Sequence, residues 1–330
     1  MKKFLTFMFT TVFLIFLLAG CASDSEKEVP AIKDTKSDKL QVVATLFPQY
    51  DFARQIAGDR AEVILLLPPG VESHSFEPRP SDIIKINESE LFIYTGEYME
   101  PWSQKIINSM KDSGSRSIVL DISQGIELIK TEEAEAEDHH EGEAKETEGE
   151  HEQEHLYDPH IWTDPINAKE MVANISDALC HIDPANADYY KENAAKYSAE
   201  LDVLDVEFKT IVSSGKRDEI IFGSRFALYY FTKRYGLSYR SAFDSCSSET
   251  EPSARTVAGL IEEINKKQIP AIYFAEMEDP KVAKSISAET GAKLLLFHSC
   301  HNVTKEEWKA GATYLSLMKQ NAENLKEGLK

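Results

Sequence analysis

Short apolar runs alternate with helix-period segments along both halves of this chain, and one long amphipathic stretch separates the two series. The runs lie at 40–45, 61–67, 91–94 and 117–120, then again at 219–222, 238–243, 271–274 and 293–297. Segments this short read as strands. Helical patterns follow them at 48–57, 81–89, 102–110, 226–235, 253–266 and 281–290, and a closing helix is expected over 306–326. Strand–helix alternation of this kind predicts an α/β fold of mostly parallel sheets with helices on their faces. Such sheets bind ligands beyond the carboxyl ends of their strands.

The separating stretch carries apolar residues at Tyr190, Tyr197, Leu201, Leu204, Phe208 and Ile211, one face of a helix. Asp183-Pro184 starts it and Ser213-Ser214-Gly215 ends it. About 26 residues at 1.5 Å each span roughly 39 Å, enough to run along two lobes and join them. The expected organisation is therefore a first lobe over 40–186, a linking helix over 187–214 and a second lobe over 215–330.

The N-terminus addresses the chain. Lys2 and Lys3 precede a run of 15 residues, 4–18, that is almost wholly apolar. That is short of the ~20 residues a spanning helix needs, and it reads as a signal peptide over 1–20. Leu18-Ala19-Gly20-Cys21 resembles a bacterial lipobox, which implies cleavage before Cys21 and lipidation of its thiol. Two or more acyl chains anchor stably. Residues 21–39 are polar, with Pro30, and read as a tether. The expected location is extracytoplasmic, on the bacterial cell membrane.

The formal charge of −20 is uneven. Residues 131–156 hold eleven Glu, Asp138 and only Lys145, a net charge of about −11. No large apolar residue appears there before Leu156, so a disordered surface loop is expected. Without a basic stripe, nucleic acid is excluded as a partner; cations suit the charge.

Four of the nine histidines, His139, His140, His151 and His155, lie in this acidic loop, where they suit weak metal capture. Three others occupy polar, turn-forming contexts: His74 in Ser73-His74-Ser75-Phe76-Glu77-Pro78, His160 in Asp158-Pro159-His160-Ile161-Trp162, and His298 in Phe297-His298-Ser299-Cys300-His301. Neutral imidazole is a common ligand of zinc. His181, just before Asp183-Pro184, reads as a helix-end residue.

The stretch from Ser73 to Asp82 resembles the first metal-ligand motif of the zinc/manganese-binding lipoproteins of bacterial ABC uptake systems, and Asp158-Pro159-His160-Ile161-Trp162 resembles their second. Residues 230–237 and 314–321 are similar to further stretches of that family. The resemblance implies two α/β lobes joined by one rigid helix, with the metal between them. It also implies no catalysis: the protein captures a cation and passes it to a membrane ABC permease, as a lipid-anchored monomer.

Two departures affect the ligand set. Where the family usually places a third ligand, this chain reads Gly223-Ser224-Arg225, which offers zinc no good donor. Where the family usually carries a carboxylate after the last strand, His298 is expected to stand. The expected ligands are His74, His160 and His298, with His301 the first candidate to fill the gap. Cys246 is the second, and a nearby Glu or water the third. Cys246 could bind zinc as a thiolate; outside the cytoplasm a Cys246–Cys300 disulfide is the preferred reading. Cys180 reads as a small buried helix residue.

An imidazole-rich set favours Zn²⁺ over Mn²⁺, which prefers oxygen. Two alternatives stand beside a zinc receptor. A secreted zinc hydrolase needs an open metal position and a base such as Glu77 or Glu249. A surface adhesin would use the metal for structure alone.

Overall fold

The computed structural model describes residues 39–130, 156–243, 252–277 and 279–330. The first half runs β1 (Leu40–Ala44), α1 (Phe47–Ala57), β2 (Ala61–Leu65), α2 (Pro80–Glu88), β3 (Leu91–Tyr94), α3 (Ser103–Ser113) and β4 (Ile118–Asp121). Helices α4 (Pro165–Ile182) and α5 (Ala187–Ser214) follow. The second half runs β5 (Glu219–Arg225), α6 (Tyr229–Tyr235), β6 (Ser238–Phe243), α7 (Ala254–Lys267), β7 (Ala271–Phe274), α8 (Lys281–Thr290), β8 (Lys293–Leu296), α9 (Lys305–Ala310) and α10 (Tyr314–Gly328).

The strands form two four-stranded sheets of the same design, ordered β2-β1-β3-β4 and β6-β5-β7-β8. Every pairing is parallel. Successive strand side chains point to opposite faces, and the core divides accordingly. Val42 and Ala44 of β1, Leu91 and Ile93 of β3, Ile220 and Phe222 of β5, and Ala271 and Tyr273 of β7 all enter one continuous apolar core between the two sheets. Their neighbours face outward. Val43 and Phe92 pack under α2 and α3, while Ile221 and Ile272 pack under α7 and α8. Sheets covered on both faces account for the unbroken apolar runs.

Helix α5 supplies Tyr190, Tyr197, Leu201, Leu204 and Phe208 to the shared core, all buried, with Ile211 half-buried. Its opposite face reaches solvent at Val203 and Val206. Asp51 of α1 ties the halves together: its buried carboxylate accepts from Tyr314 N (2.8 Å) on α10 and from the Tyr197 hydroxyl (3.4 Å) on α5. Asp164 caps α4 by accepting from Ile166 N at 2.7 Å, with Pro165 in the first turn.

One expected element divides in two. The closing helix breaks between α9 and α10, where Gly311 adopts φ +74° and the Thr313 hydroxyl accepts from Ser316 N to start a new helix. Gly223 answers a different demand. A Cβ there would lie 2.5 Å from Ala283 Cα, so only glycine lets α8 pack this closely on β5. Cys180 is helical but half-buried, and His181 lies exposed in the last turn of α4. Among the described residues no helix is long and apolar enough to cross a membrane. The signal peptide, Cys21, nearly all of the tether, Cys246 and His139, His140, His151 and His155 lie outside the described residues.

Candidate metal centre

His74 sits in the loop after β2. Glu72 shapes its turn: the carboxylate accepts from His74 N (3.0 Å) and Ser75 N (2.9 Å). The same loop is held by the second half of the chain. Asn302 donates through Nδ2 to the carbonyls of Pro68 (2.8 Å) and Val71 (2.9 Å), and Gly70 N donates to Val303 O at 2.8 Å.

His160 precedes a short 3-10 turn over Ile161–Thr163 and is fully buried. Asp158 accepts twice on Oδ1, from His160 N (2.8 Å) and from the ring Nδ1 (2.9 Å). A carboxylate only accepts, so Nδ1 carries the proton and Nε2 keeps its lone pair. That Nε2 lies 3.5 Å from His74 Nε2.

His301 follows β8 in the second half. Its Nδ1 contacts the Ser299 hydroxyl, and its buried Nε2 has no hydrogen-bond partner. The ring stacks edge-on against His160 (centroids 4.6 Å apart) and His74 (5.2 Å). One ligand atom from each of His74, His160 and His301 lies within 4.8 Å of the other two. Tetrahedral zinc with bonds of about 2.05 Å sets its nitrogens about 3.4 Å apart. The His74–His160 separation already matches this, so the three residues fit zinc with small inward movements.

The electrostatics keep the His74 and His301 rings ready to ligate. Loss of hydration, then the nearness of His160, pushes the His74 imidazole down to about 4, with Arg225 adding to the effect. Burial, then His160 and His74, holds His301 well below its ordinary value. Neutral imidazoles present lone pairs without competition from protons.

His298 is a correction to the expected set. It is not in the cluster. Its backbone N donates to Asn321 Oδ1 and its carbonyl accepts from Asn321 Nδ2, both at 2.7 Å, which ties the loop to α10. Its Nδ1 lone pair is taken by Cys300 N at 2.9 Å. The only remaining nitrogen must therefore carry the proton, and it faces Glu307 at 3.6 Å rather than the cluster. The residue after the last strand that reaches the cluster is His301, three positions on.

The expected disulfide has one end, Cys246, outside the described residues. Cys300 is a free thiol, fully buried in the shared core. The Gly223-Ser224-Arg225 segment supplies no ligand to the cluster. Arg225 instead lines a cavity of about 70 Å³ beside it, with His74, Glu276, Met277, His301 and Asn302.

Sequence reasoning assigned no role to Asp158, Ser299 or Glu276. The first was legible as an acid two residues before His160. The other two meet His301 only through a loop conformation that spacing does not reveal, because Cys300 between Ser299 and His301 adopts φ +64°.

The chain has clear relatives among known proteins. The chain is 36% identical over 322 residues to the high-affinity zinc uptake system protein ZnuA of Bacillus subtilis, covering 98% of this chain and 97% of that protein. It is 32% identical to the zinc-binding lipoprotein AdcA of Streptococcus pneumoniae, covering 99% of this chain but 61% of the longer relative. The Zn(II)-bound ZnuA-like domain of that AdcA superposes with a TM-score of 0.72 at 30% identity, covering 88% of this chain and 99% of the domain. The family model for ZnuA, the periplasmic component A of the zinc-uptake complex, matches residues 42–328, and the chain belongs to that family.

Proposed function

We propose that this protein is an extracytoplasmic zinc receptor that captures Zn²⁺ between its two halves and delivers it to an ABC importer. One observation carries the reading: imidazole nitrogens from both halves converge within 4.8 Å, with His74 and His160 from the first and His301 from the second. The family is one of transport proteins that bind their cargo, and its members named above are zinc proteins. Zinc is the cargo, and the three imidazoles suit it better than they suit manganese.

Lipidation at Cys21 holds the receptor at the membrane, and the permease is its partner. The acidic, His-rich segment 131–155 gathers zinc weakly near the site. Its flanks support this: the Lys130–Tyr157 bridge and the bond from Asp158 N to Ile129 O close its base within three residues of His160. A hydrolase is not supported by the described carboxylates. Glu72 and Glu276 are engaged in hydrogen bonds, and Glu77 is exposed to solvent.

Equilibrium zinc titration tests the ligand set. His74→Ala, His160→Ala and His301→Ala should each weaken the tight site about a thousandfold, near 4 kcal/mol. His298→Ala should cost less, through loosening of its loop. Unchanged tight binding in His301→Ala would overturn the proposal.

A further inference from the structure

We infer that Glu276, acting through the Ser299 hydroxyl, selects the tautomer of His301 and so aims its lone pair at the metal. The inference rests on the three-histidine reading above and deepens it.

Glu276 follows β7 and is buried. Its Oε2 accepts from Ser299 N at 2.7 Å, and its Oε1 accepts from the Ser299 hydroxyl. A serine hydroxyl has one proton, and a carboxylate has none to give. The Ser299 proton is therefore committed to Glu276, and Ser299 Oγ can meet His301 Nδ1 only as an acceptor. Nδ1 must then carry the ring's proton. The lone pair falls on Nε2, the buried atom without a hydrogen-bond partner, whose ring stands edge-on against His160 and His74.

Glu276 Oε1 lies 4.0 Å from His301 Nδ1, on the side of the ring away from Nε2. It therefore acts as a positioning residue, not as a ligand. Asp158 performs the same task for His160 by direct contact. Cys300, in the left-handed region, folds the loop so that the side chains on either side of it meet. Carboxylates behind metal-binding histidines typically influence affinity tenfold to a hundredfold.

Hydrogen-bond polarity places a specific demand on Glu276→Gln. The amide oxygen is needed by Ser299 N, so the amide NH₂ faces the hydroxyl. The hydroxyl must then accept from the amide and donate to His301 Nδ1. That moves the ring proton to Nε2 and blocks the ligand atom.

Ring-¹⁵N NMR of the full metal-free chain, followed by zinc titration, tests this. In the unmodified protein His301 should be protonated on Nδ1. In Glu276→Gln it should be protonated on Nε2, with His160 unchanged and zinc affinity lower by roughly ten- to a hundredfold. Ser299→Ala removes the relay and gives a second route should Glu276→Gln not fold: His301 should then populate both tautomers. Adding Glu276→Gln to Ser299→Ala should cost little more, because the two residues act as one path. An Nε2-protonated His301 in the unmodified protein would overturn the inference. So would a Glu276→Gln variant that keeps its tautomer and binds zinc within twofold. Failure of the unmodified chain to bind zinc would instead overturn the receptor reading, with the tautomer result standing by itself.

Discussion

The two halves place a buried glutamate in the same topological slot, and the two glutamates have different surroundings. Glu100 follows β3 and Glu276 follows β7, the third strands of identically ordered sheets. Each takes one backbone N–H on Oε2 and a hydroxyl on Oε1. Glu100's partners, Thr45, Gln49 and Thr95, are all neutral and close a network within the first half. Burial therefore dominates, and its carboxyl is pushed up to about 7. Glu276's hydroxyl partner belongs to the loop that carries His301. The same slot closes a network inside the first half on one side and braces the His301 loop on the other. What separates them is the loop that follows: after β8 the chain turns back to Glu276 through Ser299, and the same loop carries His301 to His74 and His160.

The sharpest way to break this contrast is pH. An acid whose folded pKa exceeds its unfolded value holds its proton more tightly when folded. The stability that Glu100 contributes is thus complete below the ordinary value of 4.5 and is lost as pH rises toward 7. The expected loss is about 3 kcal/mol. Glu100→Gln should flatten this part of the denaturant-unfolding profile and leave zinc affinity unchanged. A profile as steep as that of the unmodified protein would show that Glu100 is not the group responsible.

A smaller effect sharpens the comparison of how the halves hold their ligands. Asp158→Ala removes the direct support of His160 and should weaken zinc binding about tenfold to a hundredfold, measured by competition with a chelator. An effect under threefold would mean that packing alone orients His160, whose ring lies edge-on to Trp162 with centroids 5.7 Å apart. The smallest change is expected from deleting 131–155. The tight site should stay within about twofold, near 0.4 kcal/mol, because both flanks are fixed by described bonds. Only weaker zinc sites should vanish from the titration. Loss of the tight site would make the insertion part of the centre.

Much of this molecule was legible before any coordinates. Alternating short apolar runs determined two parallel sheets because period-2 strands buried on both faces leave no other pattern. A 3.6-residue apolar stripe over 190–211 determined the long helix. His74 and His160 were legible as candidate donors because each lies in a distinctive motif. Tertiary structure decided what local pattern could not. His298 and His301 are three residues apart in one loop, and spacing alone treats both as ligands. Only the folded loop, with Cys300 in the left-handed region and Cys300 N occupying the lone pair of His298, determines which ring faces the other half. The single break at Gly311 was hidden for a similar reason: a helix-compatible sequence divides where a new cap and the shared core favour it. Local chemistry specifies elements and candidate donors, whereas the direction of a lone pair depends on hydrogen bonds between distant segments, and those exist only once the chain has folded.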